Sequence, residues 1–346
     1  MALAKHILVI RLSAMGDVAM TVPVIKKVTE RFPDLKITIL TRRFFSPIFE
    51  ELKNVQVYEA EVHDRHKGVP GLRRLSHELQ ELGIDAVADL HNVLRSNILK
   101  VFFQMAGIPV RQINKGRVEK KALTRRNNKL LKPLKTTHER YAEVFAKLGF
   151  PIDLTEPAFL PKQKVSETVN RLAGEEPKKW LGIAPFAQHE SKVYPQELMK
   201  EVLQQLEKEE NLKVFLFGGG AKECGILKNW EDQYGNAVNL AGKVSFAEEL
   251  AFISNLDAML SMDSGNGHMA ANYGIPVITM WGLTHPFTGF APFGQPSSHW
   301  ILPDLNKYPA IPTSIYGKTI PEGYEDVMHS IKPKAVVQKV REVLSL

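Results

Sequence analysis

Asp17 ends the stretch RLSAMGD, in which Ser13, Ala14 and Gly16 permit a tight turn and let a ligand approach the backbone closely. A carboxylate in that place has two possible jobs. It complements the N-terminus of a following helix, worth about 1 kcal/mol, or it acts as a general base on a bound hydroxyl. A second cluster is MDSGNGH at residues 262–268. There Asp263, Ser264, Gly265, Asn266 and Gly267 read as a polar turn and His268 as the start of a helix, so the exposed N–H groups suit a phosphate or diphosphate. The plainer alternative makes Asp263 and Ser264 an N-cap and His268 a packing residue. Lys192, in APFAQHESKVYP, can bring a mobile positive charge to the same anion, or is an exposed lysine before a helix. Glu223, in FGGGAKECG, can accept hydrogen bonds from ribose hydroxyls. Neither half of the chain carries the glycine spacing of a dinucleotide fingerprint, and RLSAMGD is not a GxxxxGK phosphate loop.

Each of these loops follows an apolar run. HILVIR, LKITILT, VQVYEA and DAVADL alternate with helical patterns such as MTVPVIKKVTERF and LRRLSHELQELG, which predicts parallel α/β layers. FPIDLTEPAFLPKQKV holds three prolines and no sustained period, and reads as a linker. A second series follows: KWLGIAPF, a helix from about Gln196 to Lys208, LKVFLFGG, a helix from Lys222, AVNLAG, FAEELAFISN, LDAMLSMD and IPVITMWG. Two Rossmann-like halves result, and in open parallel sheets ligands bind beyond the carboxyl ends of the strands. Residues 287–324 are rich in Pro, Gly and Ser and show no clear period. In KPKAVVQKVREVL, Pro333 is placed for a first helical turn and Val336, Val337, Val340, Val343 and Leu344 share one face.

At 346 residues and 44% hydrophobic composition the chain has room for two domains of usual size. Its single cysteine, Cys224, excludes an intrachain disulfide and any multi-cysteine metal site, and fits a reducing compartment. No segment reaches about 18 unbroken apolar residues. The N-terminus MALAKHILVIR lacks the long apolar region and cleavage site of an export signal, so the expected location is cytoplasmic. The net charge of +7 is local in origin: residues 111–135 hold ten basic residues against one acid, Glu119, which leaves the rest slightly acidic. That stretch is either a solvated loop or a contact surface for a polyanion. With no aromatic residue in it for base stacking, a nucleic acid partner is not expected.

Together RLSAMGDVAMTVPV, ESKVYP, FGGGAKE and MDSGNGHMAANYGIPVITMWG resemble, in order and over nearly the whole chain, the heptosyltransferase family of lipopolysaccharide synthesis, glycosyltransferase family nine. The last stretch is similar to the family's Asp-Ser/Thr-Gly-x-x-His-x-Ala-Ala signature. The resemblance implies a GT-B fold, with two Rossmann-like domains and an interdomain cleft. An acceptor-binding domain would span 1–155 with the C-terminal helix 333–346 crossing back to it, and a donor-binding domain 156–332. It further implies a metal-independent inverting glycosyltransferase without a cofactor, whose donor is typically ADP-heptose. Asp17 matches the proposed general base, Lys192 the phosphate-contacting lysine and Glu223 the ribose-contacting carboxylate. The turn from Asp263 to His268 matches the donor-phosphate loop, and the backbone near Lys243 and Val244 the place of adenine. Ser13, Gly16, Arg117, Lys120 and Lys121 are the candidate acceptor contacts. The chain departs from the family where many members read Gly-Pro-Thr-Asp-Pro, since it has GLTHP with His285 in the acidic place.

In this reading the acceptor is an anionic glycolipid core of lipid A and Kdo, and the basic stretch gives peripheral contact with the inner face of the inner membrane. Two rival readings keep the fold: a GT-B enzyme using a UDP-sugar, as transferase or epimerase, and a catalytically silent polyanion-binding protein.

Overall fold

The computed structural model describes residues 4–174 and 176–346; the first three residues of the N-terminal segment read above lie outside the described residues. The aliphatic run at His6–Ile10 becomes β1, buried along its whole length as a strand covered on both faces must be. It is followed by β2 (Lys36–Thr41), β3 (Val55–Glu59), β4 (Ala86–Asp89) and β5 (Val110–Gln112), all parallel, in the order β3-β2-β1-β4-β5. The helices between them are α1 (Met15–Ala19), α2 (Val22–Arg31), α3 (Gly68–Gln80) and α4 (Leu94–Met105). Leu72, Leu75 and Leu79 of α3 and Leu99 and Phe103 of α4 close the core on Leu8, Ile10 and Val87 of the sheet.

Beyond α5 (Arg117–Leu123), α6 (Thr137–Ala146) and α7 (Glu167–Ala173) a second parallel sheet begins. Its strands are β6 (Lys179–Ala184), β7 (Leu212–Leu216), β8 (Ala237–Asn239), β9 (Ala258–Met262), β10 (Val277–Met280) and β11 (Trp300–Ile301), in the order β11-β10-β9-β6-β7-β8. Its helices are α8 (Gln196–Leu206), α9 (Gly220–Gln233), α10 (Phe246–Ile253), α11 (Gly265–Asn272) and α12 (Pro333–Leu344).

The compact units are 1–115 with 135–160, and 116–134 with 161–346. This differs from the expected boundaries in three places, the first being that the first unit runs on to residue 160 instead of ending at 155. The last helix, α12, belongs to the second unit, because Val336, Val337, Val340 and Leu344 enter one core with Met199, Val202, Leu203 and Leu206 of α8. Arg341 fixes it further with two hydrogen bonds to Glu209 Oε1, from Nε at 2.8 Å and Nη2 at 2.6 Å. The basic segment 116–134 also goes with the second unit. Lys129 Nζ donates to the carbonyls of Ala310 and Pro312, Leu134 N–H donates to Phe287 O at 3.0 Å, and Lys120 Nζ sits 4.1 Å from the centre of the Phe290 ring. The aperiodic residues 287–312 therefore have a job: they hold the basic segment in place.

Candidate active site

Both sheets have a point where the chain order reverses, between β1 and β4 in the first and between β6 and β9 in the second. Loops leaving two such strands diverge to opposite sides and open a crevice at their carboxyl ends. Ser13, Gly16 and Asp17 follow β1 at the first of these points, and Lys192 and the turn from Asp263 to His268 follow β6 and β9 at the second.

In the first unit Asp17 lies in the first turn of α1, at the strand-to-helix junction, and is 28% exposed. It does not cap the helix. Its Oδ2 pairs with Nη2 of Arg11, a buried residue whose Nη1 donates to Leu90 O at 2.7 Å, just past β4. Tyr141 Oη of α6 donates to the Asp17 carbonyl at 3.2 Å. Ser13 Oγ lies 3.3 Å from His91 Nε2, so the β1 and β4 loops are joined twice. His91 is held in turn by Asp89, which accepts the N–H groups of His91 and Asn92 at 2.8 and 2.9 Å. Burial first, and the Arg11 guanidinium second, push the His91 imidazole down to about 4, so it is neutral at physiological pH. Its Nδ1 is buried without a hydrogen-bond partner. Gly16 stands beside Asp17 within α1.

In the second unit Lys192 leaves a short 3₁₀ turn after β6 and reaches across to the β9 loop. Its Nζ is 2.8 Å from Asp263 Oδ2 and 3.2 Å from the Asp263 carbonyl, with the side chains 14% and 8% exposed. Thr284 Oγ1 donates to the same Asp263 oxygen at 2.9 Å. Asp263 is thus spent on Lys192 and Thr284 rather than on a cap. Ser264 is the N-cap residue of α11 but its side chain makes no cap hydrogen bond. The helix begins at Gly265, so Gly265, Asn266 and Gly267 form its first turn and offer the N–H groups that an α-helix leaves without internal partners. His268 is buried in the same helix. Gly267 packs so closely that a Cβ there would lie 2.5 Å from Ser261 Oγ of β9. His189, at the start of the 3₁₀ turn, is held below its ordinary value by burial and then by Lys192 and Lys318. Among the described residues, no group of three or more His, Cys, Asp and Glu comes together to hold a metal ion.

Glu223 follows β7, next to β6 in the sheet, and its Oε2 accepts the N–H of Gly219 at 2.8 Å. Lys243 turns its amine onto Glu231 at 2.7 Å and its N–H onto Leu240 O at 3.0 Å, so the lysine side chain is committed away from any ligand beyond β8. His285 caps the 3₁₀ turn that follows it. Its Nδ1 accepts the N–H of Phe287 at 3.1 Å, as a capping carboxylate would, and burial pushes it down to about 4. Of the acceptor candidates, Arg117 and Lys121 are exposed, whereas Lys120 is buried against Phe290 and is not on the exposed face of α5.

Arg11, His91, Tyr141 and Thr284 were not singled out from sequence. Arg11 and His91 had a usable signal, each being a polar nitrogen-bearing side chain just past an apolar run; Tyr141 and Thr284 had none.

The α11 turn also meets a titrating neighbour. Asn266 Nδ2 donates to Glu249 Oε1 at 3.3 Å, and burial pushes the Glu249 carboxyl up to about 7 despite that bond. A carboxyl raised in the folded state from an ordinary 4.5 contributes stability that is complete below about 4.5 and lost as pH rises through about 7. Glu249→Gln, uncharged throughout, is expected to flatten that loss and to melt a few degrees above the parent at pH 8 but not at pH 4. Thermal melts at the two pH values check it.

The family described as glycosyltransferase family 9 (heptosyltransferase) matches residues 72–314. Lipopolysaccharide heptosyltransferase 2 of Escherichia coli (strain K12) is 26% identical, with 98% of each chain covered. Among solved structures, the glycosyl transferase family 9 protein from Veillonella parvula superposes with a TM-score of 0.76 at 18% identity, covering 100% of this chain and 99% of that one. The E. coli ADP-heptose heptosyltransferase II gives a TM-score of 0.69 at 22% identity, covering 98% of both.

Proposed function

The chain belongs to glycosyltransferase family 9, the heptosyltransferases, and has their GT-B fold, and from that premise we propose that it moves a heptose from ADP-heptose to a hydroxyl of the lipopolysaccharide inner core. The observation that carries the reading is what stands at the two strand-order reversals. One has a carboxylate braced by an arginine, Asp17 on Arg11; the other has an ion-paired lysine, Lys192, beside an uncapped helix N-terminus.

Asp17 takes the proton of the acceptor hydroxyl as its oxygen bonds to the anomeric carbon, and the bond from that carbon to the β-phosphate oxygen breaks on the opposite face, inverting the centre. Negative charge then grows on the departing ADP. The amides of Gly265, Asn266 and Gly267 and the Lys192 amine meet that charge in place, without reorganising, so we assign leaving-group stabilisation to them rather than to a divalent cation. Glu223 and the backbone of Lys243 and Val244 follow the adjoining strands β7 and β8, in positions suited to ribose and adenine. The exposed cations of the ordered basic segment, Arg117, Lys121, Arg125 and Arg126, suit an anionic glycolipid acceptor at the inner face of the inner membrane. Ser13 and Gly16 border the place of its reacting hydroxyl.

Incubation with ADP-heptose, UDP-sugars and a delipidated core acceptor, with mass detection of products, tests the reading. The expected result is one heptose added from ADP-heptose alone, and calorimetry showing ADP bound at least about tenfold more tightly than UDP. Transfer or epimerisation of a UDP-sugar would overturn it, and so would the absence of any turnover.

A further inference from the structure

We propose that the outward face of α4 seats on an anionic phospholipid surface. This rests on the reading above, in which the acceptor is anchored in a membrane. α4 has two apolar faces where a surface helix ordinarily has one. At 100° per residue, Ser96, Leu99 and Phe103 fall on one side and are buried in the core of the first unit. Leu94, Ile98, Val101 and Met105 fall on the other. Leu94 is 76% exposed, Val101 52% and Met105 80%, while Ile98 and Phe102 are partly covered. The stripe runs along three turns of the helix with solvent over it.

The charge around the stripe selects the occupant. From Leu90 to Lys115, the stretch of the first unit that holds α4 and β5, the sequence has Arg95, Lys100, Arg111 and Lys115 and not one acid. Arg95 and Lys100 stand on α4 itself, on either flank of the stripe, and Arg111 is exposed on β5. An apolar stripe edged by cations of one sign matches a surface whose headgroups are of the other sign and whose interior is hydrocarbon, the setting of an interfacial helix. With 12 residues, α4 is about 18 Å long, suited to lie along the interface rather than to cross it. Among the described residues, no helix is long and apolar enough to cross a membrane.

The test sediments the whole chain with vesicles of phosphatidylethanolamine and phosphatidylglycerol, and with vesicles of phosphatidylcholine alone, at rising salt. The parent is expected to partition onto the anionic vesicles, less so as salt rises. The triple variant L94S/V101S/M105S is expected to partition about tenfold less or worse, with unchanged melting and unchanged transfer to a delipidated acceptor in solution. R95E/K100E leaves the apolar stripe intact and is expected to lose the salt-dependent part, so the proposal stays testable if the triple variant does not fold. Triple-variant binding equal to the parent's overturns it, as does failure of the parent to sediment with anionic vesicles, which would leave the stripe to a protein partner. If the parent shows the vesicle pattern but transfers no heptose in solution, the docking face stands and the transfer reading falls.

Discussion

Asp17→Asn is expected to slow sugar transfer by about 10²- to 10⁴-fold while leaving ADP binding within about twofold of the parent. Asparagine has the shape of aspartate and keeps an oxygen for Arg11, whose other arm stays on the Leu90 carbonyl, so the β1 and β4 loops remain joined. What it lacks is the ability to take a proton. The donor contacts we assign are all built from the second unit, from loops after β6, β7, β8 and β9, and none includes Asp17. The deficit should therefore fall on kcat and not on the donor's Kd, the pattern of a group that acts in the transition state. Steady-state rates on the true acceptor and ADP calorimetry on the same preparation check both halves. Turnover within tenfold of the parent would reduce Asp17 to an acid in the first turn of a helix, the plainer alternative that RLSAMGD leaves open.

How much of this was legible in the sequence depends on the distance over which each interaction acts. The strands His6–Ile10 and Lys179–Ala184 read directly, because past their first one or two residues they are apolar and buried on both faces. β5 and β11 did not, being three and two residues long at sheet edges, where register with a neighbour and not composition defines the strand. The start of α11 was set too late for a related reason. Gly265, Asn266 and Gly267 are poor helix formers by propensity, but packing against Ser261 and Val277 leaves no room for a side chain at Gly267 and favours the helix regardless. The placement of α12 failed differently. Its stripe of valines was visible, but two cores could have received it, and the complementary face of α8 together with the Arg341–Glu209 hydrogen bonds decides the matter across more than a hundred residues. At the site, sequence named the residues that follow strands but not their partners. That Asp17 leans on Arg11, and that Asp263 is committed to Lys192 and Thr284, is tertiary information.

That last commitment makes Lys192→Met the second large effect to expect. The amine and the Asp263 carboxylate are nearly closed off from solvent, and the lysine stem is itself boxed in: a Cβ at Gly317 would stand 3.0 Å from Lys192 Cγ and Cε, and one at Gly282 would stand 2.2 Å from the Ser191 carbonyl. Methionine fills the channel but leaves Asp263 with Thr284 as its remaining side-chain partner. Removing one member of a buried ion pair costs about 3 kcal/mol, and removing one stabiliser of a charged leaving group about 10²- to 10³-fold in kcat. A loss of activity alone would therefore confound damage with chemistry. Adding Asp263→Asn separates them. The double variant K192M/D263N has no uncompensated buried charge, so denaturant unfolding should recover most of the lost stability while single-turnover transfer stays at least about 10²-fold down. If turnover returned together with stability, Lys192 would be a strut for the β9 loop and nothing more, and the helix N-terminus at Gly265 would have to meet the departing diphosphate alone.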